Sequence, residues 1–505
     1  MAGHFEDSLT KKQANHETWN ESAGGRCRTF FAQEAALTVN WFDVARVTIG
    51  KLPDDVLLEI FDSYLDKALI EAWHTLMLVC QKWRNVVFGS PQRLELRLHC
   101  TESTPVRRTL DAWPVLPIVV LGYGYEEWGA DNIVAALEHN DRIPQMELFD
   151  FPSSQMEKVL AEMRRPFPAL KYLHLQSIGG TVPAVPDSFL GGSAPRLQEL
   201  SLEGIPLPRL PKLLMSAPHL VELRLRKIPH SGYFSPEAMV TCFSTLSRLE
   251  KLVISFESSR CRPEQKSRHL LPQTRALLPV LTNLCFVGVS EYLDDLVARI
   301  DAPLLDNLEI TFFYQLIFDT PRLTQFISRT PKLKLKAHDE AHVKFSDWAV
   351  WVNTFDRGHR AFTLAISCRQ SDWQLSSLAQ VCSSSLHEVF IPAVERLYIL
   401  EEKHLQVPPS WPDDIETSQW LELLHPFTAV KDLYISREFT PRISPTLQEL
   451  VEGGVTEVLP ALQTLFLEEA PPSGPVQETI GKFVVARQLA GHPIAISLWE
   501  GKHFQ

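Results

Sequence analysis

Residues 195–202 read Pro-Arg-Leu-Gln-Glu-Leu-Ser-Leu, an L-x-x-L-x-L frame with a proline two residues before its first leucine. One step earlier the frame stands at 168–175 as PALKYLHL, and one step later at 218–225 as PHLVELRL. Further out it recurs at Leu249-Leu252-Ile254, Leu281-Leu284-Phe286, Leu305-Leu308-Ile310, Val430-Leu433-Ile435 and Leu462-Leu465-Leu467, with looser copies at Ile143-Met146-Leu148 and Val394-Leu397-Ile399. From Ile143 to Leu305 the opening residues follow one another at steps between 23 residues (197 to 220) and 32 residues (249 to 281). A period of this length marks a stack of supersecondary units, each of which can bury its apolar face only against its neighbours.

Leucines at these spacings also fit amphipathic helices. The prolines and the β-branched and aromatic residues within the runs favour strands. Pro168, Pro195, Pro218, Pro279, Pro303 and Pro460 each stand two residues before an opening leucine, where proline ends the preceding helix and starts an extended segment. That role accounts for a chain with 36 prolines, above the average share of about 5%. Several units place a further apolar residue three positions after the frame, at Ile178, Ile205, Ile228, Val289 and Phe313. The pattern resembles leucine-rich repeats, which implies an α/β solenoid with parallel strands on one face and helices on the other. The Asn or Cys usual after the third leucine is replaced by Ser177, Gly204 and Lys227, which implies an irregular solenoid with longer helical returns.

The flanks carry the same texture. Leu94, Leu96 and Leu98 alternate with polar residues as a half-buried strand, Thr104–Trp113 reads as a helix, and Ile118–Leu121 as a second strand. Between about 320 and 425 the repeat blurs. Thr320–Arg329 reads as a helix, Lys332–Lys336 as a strand with lysines on one face, and Ala337–Val352 and Phe362–Ile366 as further strands. A helix opens at Ser371 and runs to about Cys382, residues 401–415 form a proline-rich acidic loop, and Thr417–Leu424 is helical. Trp348, Trp351, Trp373, Trp411 and Trp420 concentrate here, as fillers of an imperfect core or as binding anchors. Beyond the last repeat, a helix from Val476 to Ala490 closed by Gly491 and a strand from Ile494 to Trp499 are expected to cap the open end.

Residues 52–88, LPDDVLLEIFDSYLDKALIEAWHTLMLVCQKWRNVVF, have a different character. Pro53 suits a first helical position, Asp54 and Asp55 oppose the helix dipole, and Val56, Leu57, Ile60, Phe61, Tyr64 and Leu65 form one apolar stripe. A second helical stretch carries Ile70, Trp73, Met77, Cys80 and Trp83 and ends before Gly89. Short amphipathic helices of this kind make a thin core, so one apolar face is left for a partner. Leu-Pro-Asp-Asp-Val, then Ile60-Phe61, Leu65, Val79-Cys80 and Trp83, in that order, resemble the F-box as fungal F-box proteins carry it. Two departures stand out: a connection between Leu65 and Val79 longer than usual, and Gln81-Lys82 where arginine is frequent. The resemblance implies docking on a Skp-family adaptor of a cullin-RING (SCF-type) ubiquitin ligase through Leu52, Pro53, Val56, Leu57, Ile60, Phe61, Leu65, Val79, Cys80 and Trp83. Some of these must instead hold the helices together, because one stripe cannot face two ways. The expected organisation is a largely disordered extension over 1–47, the F-box module over 48–90, the solenoid over 91–475 and a helix-strand cap over 476–505.

Composition bounds the rest. A chain of 505 residues with a formal net charge of −12 and a pI near 5.8 lacks the basic surface that nucleic acid requires. The 8 cysteines are scattered without C-x-x-C pairs, which fits a reducing compartment. No apolar run approaches a membrane span and the N-terminus has no apolar signal core, so a cytoplasmic or nuclear protein is expected. No zinc-protease, nucleophile-elbow, phosphate-loop or dinucleotide motif occurs, and the 17 histidines do not cluster with cysteine at ligand spacing. Neither cofactor nor metal nor catalysis is expected. Two readings remain: a substrate receptor whose repeats capture a protein for ubiquitination, and a repeat scaffold that binds partners with no ubiquitin role.

Overall fold

The computed structural model describes residues 51–65, 76, 78–89, 95–112, 115–123, 129–179, 185–263, 275–318, 320–334, 338–356, 358–386, 390–402, 417–453, 457–469 and 474–500. The expectations for residues 1–47, for Ile70, Trp73, Met77 and Trp411, and for most of the 401–415 loop lie outside these residues. Two compact units divide between Gly89 and Ser90. The first contains helices α1 (Asp54–Leu65) and α2 (Gln81–Gly89).

The second unit is organised on one sheet of 16 strands among the described residues. Strands β1 (Leu96–His99), β2 (Ile118–Tyr123), β3 (Gln145–Pro152), β4 (Tyr172–Ile178), β5 (Glu199–Glu203), β6 (Glu222–Ile228), β7 (Lys251–Phe256), β8 (Asn283–Gly288) and β9 (Asn307–Phe313) lie side by side in chain order, all parallel. Their register stacks the frames column on column. Leu173 pairs with Leu200, then Leu223, Leu252, Leu284 and Leu308, and one column on Leu175 pairs with Leu202, Leu225, Ile254, Phe286 and Ile310. All of these side chains are buried, as are the opening residues Ile143, Leu170, Leu197, Leu220, Leu249, Leu281 and Leu305. The three apolar columns are a continuous core that no single repeat owns.

The repeats from Leu170 onward enter their strands by the same device. The amide of the opening leucine closes an i to i+3 turn, Leu170 to the Phe167 carbonyl (3.2 Å), Leu197 to Ala194 (3.2 Å), Leu220 to Ala217 (3.1 Å) and Leu305 to Ala302 (3.2 Å). Pro168, Pro195, Pro218 and Pro303 therefore occupy the second turn position, where the ring presets φ. The carbonyl after that leucine then accepts two amides from the next repeat. Lys171 O accepts from Gln198 N and Glu199 N at 2.8 and 3.0 Å, and Gln198 O from Val221 N and Glu222 N at 2.7 and 3.0 Å. At the far end of the strand, two residues after the third leucine, Asp150, Gly204 and Lys227 adopt positive φ of 57°, 70° and 48°. The bend that the missing Asn leaves open is thus made by a left-handed residue in these repeats. Of the apolar residues that follow, Ile205, Ile228 and Val289 are buried, whereas Ile178 is exposed and Phe313 half-buried.

The blurred region is a fold-back. Strands β10 (Glu340–Phe345), β11 (Ala349–Asp356) and β12 (His359–Ser367) form an antiparallel meander placed in reverse, so the sheet reads β9-β12-β11-β10 and then β13 (Arg396–Glu401). Only β11 runs against the others, and the apolar rows continue through it, Leu308 beside Phe362 and Val343 beside Ile399. Buried polar groups fix the detour. Gln374 Nε2 donates to the Ser346 and Cys368 carbonyls at 2.9 and 2.6 Å, and His338 bridges Thr354 Oγ1 (2.8 Å) and the Leu333 carbonyl (3.1 Å). Of the strand expected over Lys332–Lys336, the first three residues instead belong to a short helix, Pro331–Lys334, because Pro331 takes a first-turn position, and residues 335–336 lie outside the described ones. Strands β14 (Asp432–Ile435), β15 (Thr464–Leu467) and β16 (Ala495–Leu498) resume the parallel order. The helix Pro475–Leu489 turns at Gly491 (φ 83°) into β16. That strand extends the sheet rather than covering it, since Ile496 and Leu498, in register with Leu465 and Leu467, stay 47% and 64% exposed.

An acidic pair, Asp294-Asp295, lies in the helix Ser290–Val297 and caps the next helix, Pro321–Arg329. Asp294 Oδ1 accepts from Arg322 N (2.8 Å) and Leu323 N (3.0 Å), and Asp295 Oδ1 faces Arg322 Nη1 at 2.6 Å. Burial pushes the Asp294 carboxyl from 3.8 up to about 6, against the two amides and Arg322, which act the other way. An acid whose folded pKa is raised contributes most when protonated in both states, and that contribution is lost as pH rises through about 6. Relative to Asp294→Asn, the protein is therefore expected to lose about 1 kcal/mol of stability between pH 5 and pH 7.5, read from denaturant unfolding of both proteins at each pH.

A second outcome follows from Gly204, whose φ is 70° and where an added Cβ would meet the Ser177 carbonyl oxygen at 3.0 Å. Gly204→Ala is expected to cost about 1–2 kcal/mol, seen as a lower melting temperature.

Candidate functional site

In the first unit, the apolar arc of α1 is wider than the face it buries. Leu57, Leu58 and Phe61 are buried, while Val56 and Ile60, one turn apart, stand 39% and 42% exposed. Phe61 meets Trp83 of α2 edge to face at 4.8 Å, the contact that joins the two helices. The first helical bond runs from Leu57 N to the Pro53 carbonyl at 3.1 Å, and Asp54 and Asp55 sit in the first turn. Lys82 Nζ donates to the Leu52 carbonyl (2.5 Å) and lies 3.6 Å from Asp54 Oδ1. The lysine that departs from the usual arginine thus ties the start of α2 to the start of α1.

The second helical stretch is not continuous. Leu78 and Val79 are helical, Cys80 is not, and α2 begins at Gln81 with Arg84 N bonded to the Cys80 carbonyl at 3.1 Å. This break resets the helical phase. Val79 is 52% and Leu78 77% exposed, Cys80 is half-buried, and α2 runs through Gly89 rather than stopping before it. Of the ten residues expected to dock a partner, the structure leaves Pro53, Val56, Ile60 and Val79 open, with Leu52 and Cys80 partly so. Leu57, Phe61 and Trp83 face inward. Leu65 ends α1. Leu78 was not among the ten, because one unbroken helical phase through Cys80 hides it. Leu58 was likewise absent from the predicted stripe.

The second unit carries its exposed chemistry on the strand face opposite the leucine columns. The residue between the second and third leucines forms a row, Glu147, His174, Ser201, Arg224, Val253, Cys285 and Glu309. At the start of the sheet Tyr123 stacks on Phe149 (5.5 Å, 3° between planes), and Phe149 meets His174 at 4.3 Å. At the other end Tyr398, Tyr434 and Phe466 stack at 4.1 and 4.3 Å. Aligning the frames and reading this one column is the signal that finds the row and the Tyr398, Tyr434 and Phe466 stack, but not Tyr123 and Phe149, which lie two rows on. The tryptophans divide: Trp420 is fully buried, Trp348 and Trp373 are exposed, and Trp373 stacks on Tyr314 at 4.8 Å. Among the described residues no group of three or more His, Cys, Asp or Glu could hold a metal ion, and no helix is long and apolar enough to cross a membrane.

These features define a helical module with an open apolar face and a repeat domain of parallel strands, two protein-interaction architectures in one chain. Residues 49–91 match the family model of the F-box-like domain, and this stretch is an F-box-like domain. Among curated proteins, no sequence matches the chain significantly. A solved structure to which it is similar is that of the leucine-rich repeat-containing protein LegL7 from Legionella pneumophila, at 11% identity over 77% of this chain and 97% of that one, with a TM-score of 0.25. That superposition is loose, so the repeat assignment rests on the strand register and the buried leucine columns.

The inward and outward halves of α1 are separable by mutation. Phe61→Ala is expected to cost about 3–5 kcal/mol and to abolish amide-exchange protection across α1 and α2. Val56→Ala, at a position with little left to lose, is expected to stay within about 1 kcal/mol of wild type in the same measurement.

Proposed function

We propose that this chain is the substrate-recognition subunit of a cullin-RING (SCF-type) ubiquitin ligase, with the F-box-like domain docking on a Skp-family adaptor and the repeat domain binding a protein substrate. The observation that carries the reading is the match over residues 49–91 together with the apolar side chains those residues leave open, Val56, Ile60, Leu78 and Val79. Burying the part of each side chain still exposed against a partner contributes roughly 1 kcal/mol each, and somewhat more at Leu78. The proposed docking face comprises Pro53, Val56, Ile60 and Val79, edged by Leu52, Cys80 and the end of α1 at Leu65. Leu57, Phe61 and Trp83 hold that face in place from behind. The protein's own contribution is proximity: it raises the effective concentration of acceptor lysines near the ligase and performs no covalent step, with no cofactor. The cytoplasm or nucleus is the proposed setting.

The test uses the full chain co-expressed with a Skp-family adaptor. Wild type is expected to co-purify with it, and Val56→Asp with Ile60→Asp is expected to lose at least about tenfold in affinity while the melting temperature is retained. A wild-type chain that does not bind, or a double variant that binds equally, leaves the repeat domain as an interaction scaffold without a ubiquitin role.

A further inference from the structure

On the open face of β3 to β6 the strands enclose a cavity of about 440 Å³ whose lining includes Glu147, Tyr172, His174, Glu199, Glu222 and Arg224. Its charges do not cancel. Glu222, only 7% exposed, is matched by Arg224 Nη2 at 2.6 Å and more distantly by Lys251 Nζ at 3.9 Å. Among the described residues the Glu147 carboxylate accepts a hydrogen bond only from the neutral amide of Gln145, at 2.7 Å. The Glu199 carboxylate makes no hydrogen bond or ion pair with another described residue, whereas the residue's backbone amide donates to the Lys171 carbonyl. Burial holds the His174 imidazole below its usual range, so it stays neutral at pH 7 and supplies no compensating cation. Two carboxylates are thus left over in a concavity.

Their placement is set by register. Glu147 pairs across to His174, and Glu199 to Tyr172, so the two residues flank β4 from either side and lie diagonally across it, about 12 Å apart at two strand spacings and two residues of rise. Between them on β4 lie the Tyr172 and His174 rings, and farther along β3 from Glu147 Phe149 meets His174 at 4.3 Å. Carboxylates beside aromatic faces favour a cation on an aliphatic stem, which gains ion pairing at its head and ring contact along its length. The volume accommodates one or two such side chains and is too small for a folded element.

We propose that this cavity is the anchor site for a protein substrate and that it takes a lysine- or arginine-bearing segment of that substrate, held by Glu147 and Glu199 over Tyr172. The inference deepens the receptor reading above and rests on it for the word substrate. The recognition itself requires only the repeat domain's side chains.

The probes are three fluorescein-labelled octapeptides, GSGRKGSG and its counterparts with Gln-Gln or Glu-Glu in place of Arg-Lys. Binding to the full chain is followed by anisotropy at low salt, where exposed charge is least screened. The Arg-Lys peptide is expected to bind at least about tenfold more tightly than the Gln-Gln peptide, with no binding of the Glu-Glu peptide. Glu147→Gln with Glu199→Gln should reduce it to the Gln-Gln level without changing the melting temperature. Glu469→Gln with Glu478→Gln removes the same net charge from residues that do not line the cavity and should change nothing. Equal binding of all three peptides, preference for the Glu-Glu peptide, no binding, or equal loss in the control variant each overturn the proposal. Adaptor capture measured on the same preparations separates the two readings. Adaptor binding without peptide discrimination removes only the cavity assignment, and peptide discrimination without adaptor binding removes only the ligase assignment.

Discussion

The second unit depends on one repeated hydrogen-bond arrangement, a single carbonyl at the head of each strand that accepts two amides from the next repeat. Lys171 does so for Gln198 and Glu199, Gln198 for Val221 and Glu222, Val221 for Glu250 and Lys251, and Glu250 for Thr282 and Asn283. Each repeat is thereby fixed to its predecessor before its strand begins. A slip of one residue would turn every leucine of that strand to the open face, and the shared carbonyl together with the proline turn excludes it. The register then delivers three columns of buried apolar side chains whose stabilisation is a property of the stack.

The same constraint explains how the chain tolerates the fold-back between β9 and β13. A sheet accepts any strand that presents apolar residues at alternate positions and pairs its backbone, whatever its direction. β12 supplies Phe362, Leu364 and Ile366 beside Leu308, Ile310 and Phe312, and β10 supplies Ala341 and Val343 beside Leu397 and Ile399. What the meander cannot inherit is the repeat's turn chemistry. Its ends are instead fixed by side chains, Gln374 on two carbonyls and His338 between Thr354 and Leu333. These amides and imidazoles satisfy backbone groups that regular repeats satisfy with backbone.

How much of this could be read beforehand follows from which forces repeat. The leucine columns and their prolines recur because burial recurs, and they mark nearly every parallel strand. The fold-back was legible as strands but not as a reversal, since alternation says nothing about direction. Lys332–Lys336 misled because a short alternation lost to one proline. In the first unit the apolar stripe of α1 was visible except for Leu58, but not its division into a buried side at Leu57, Leu58 and Phe61 and an open side at Val56 and Ile60. That division depends on where α2 lies, and α2 is placed by the break at Cys80 and by Lys82 reaching back to Leu52. Neither contact has a period, so neither leaves a pattern in the sequence.

The open face of the sheet shows the opposite relation between sequence and structure. Its residues have no periodic identity, yet the backbone holds them in rows at the interstrand spacing of about 4.8 Å. Side chains that differ from repeat to repeat therefore become neighbours. The stacking of Tyr398, Tyr434 and Phe466 at 4.1 and 4.3 Å is that spacing expressed in rings, and the cavity between Glu147 and Glu199 is the same spacing expressed in charge. Because the leucine columns supply the stability, substitutions in these rows change what the surface can bind at little cost to the fold. A core shared by all repeats thus leaves each outward position free to vary on its own.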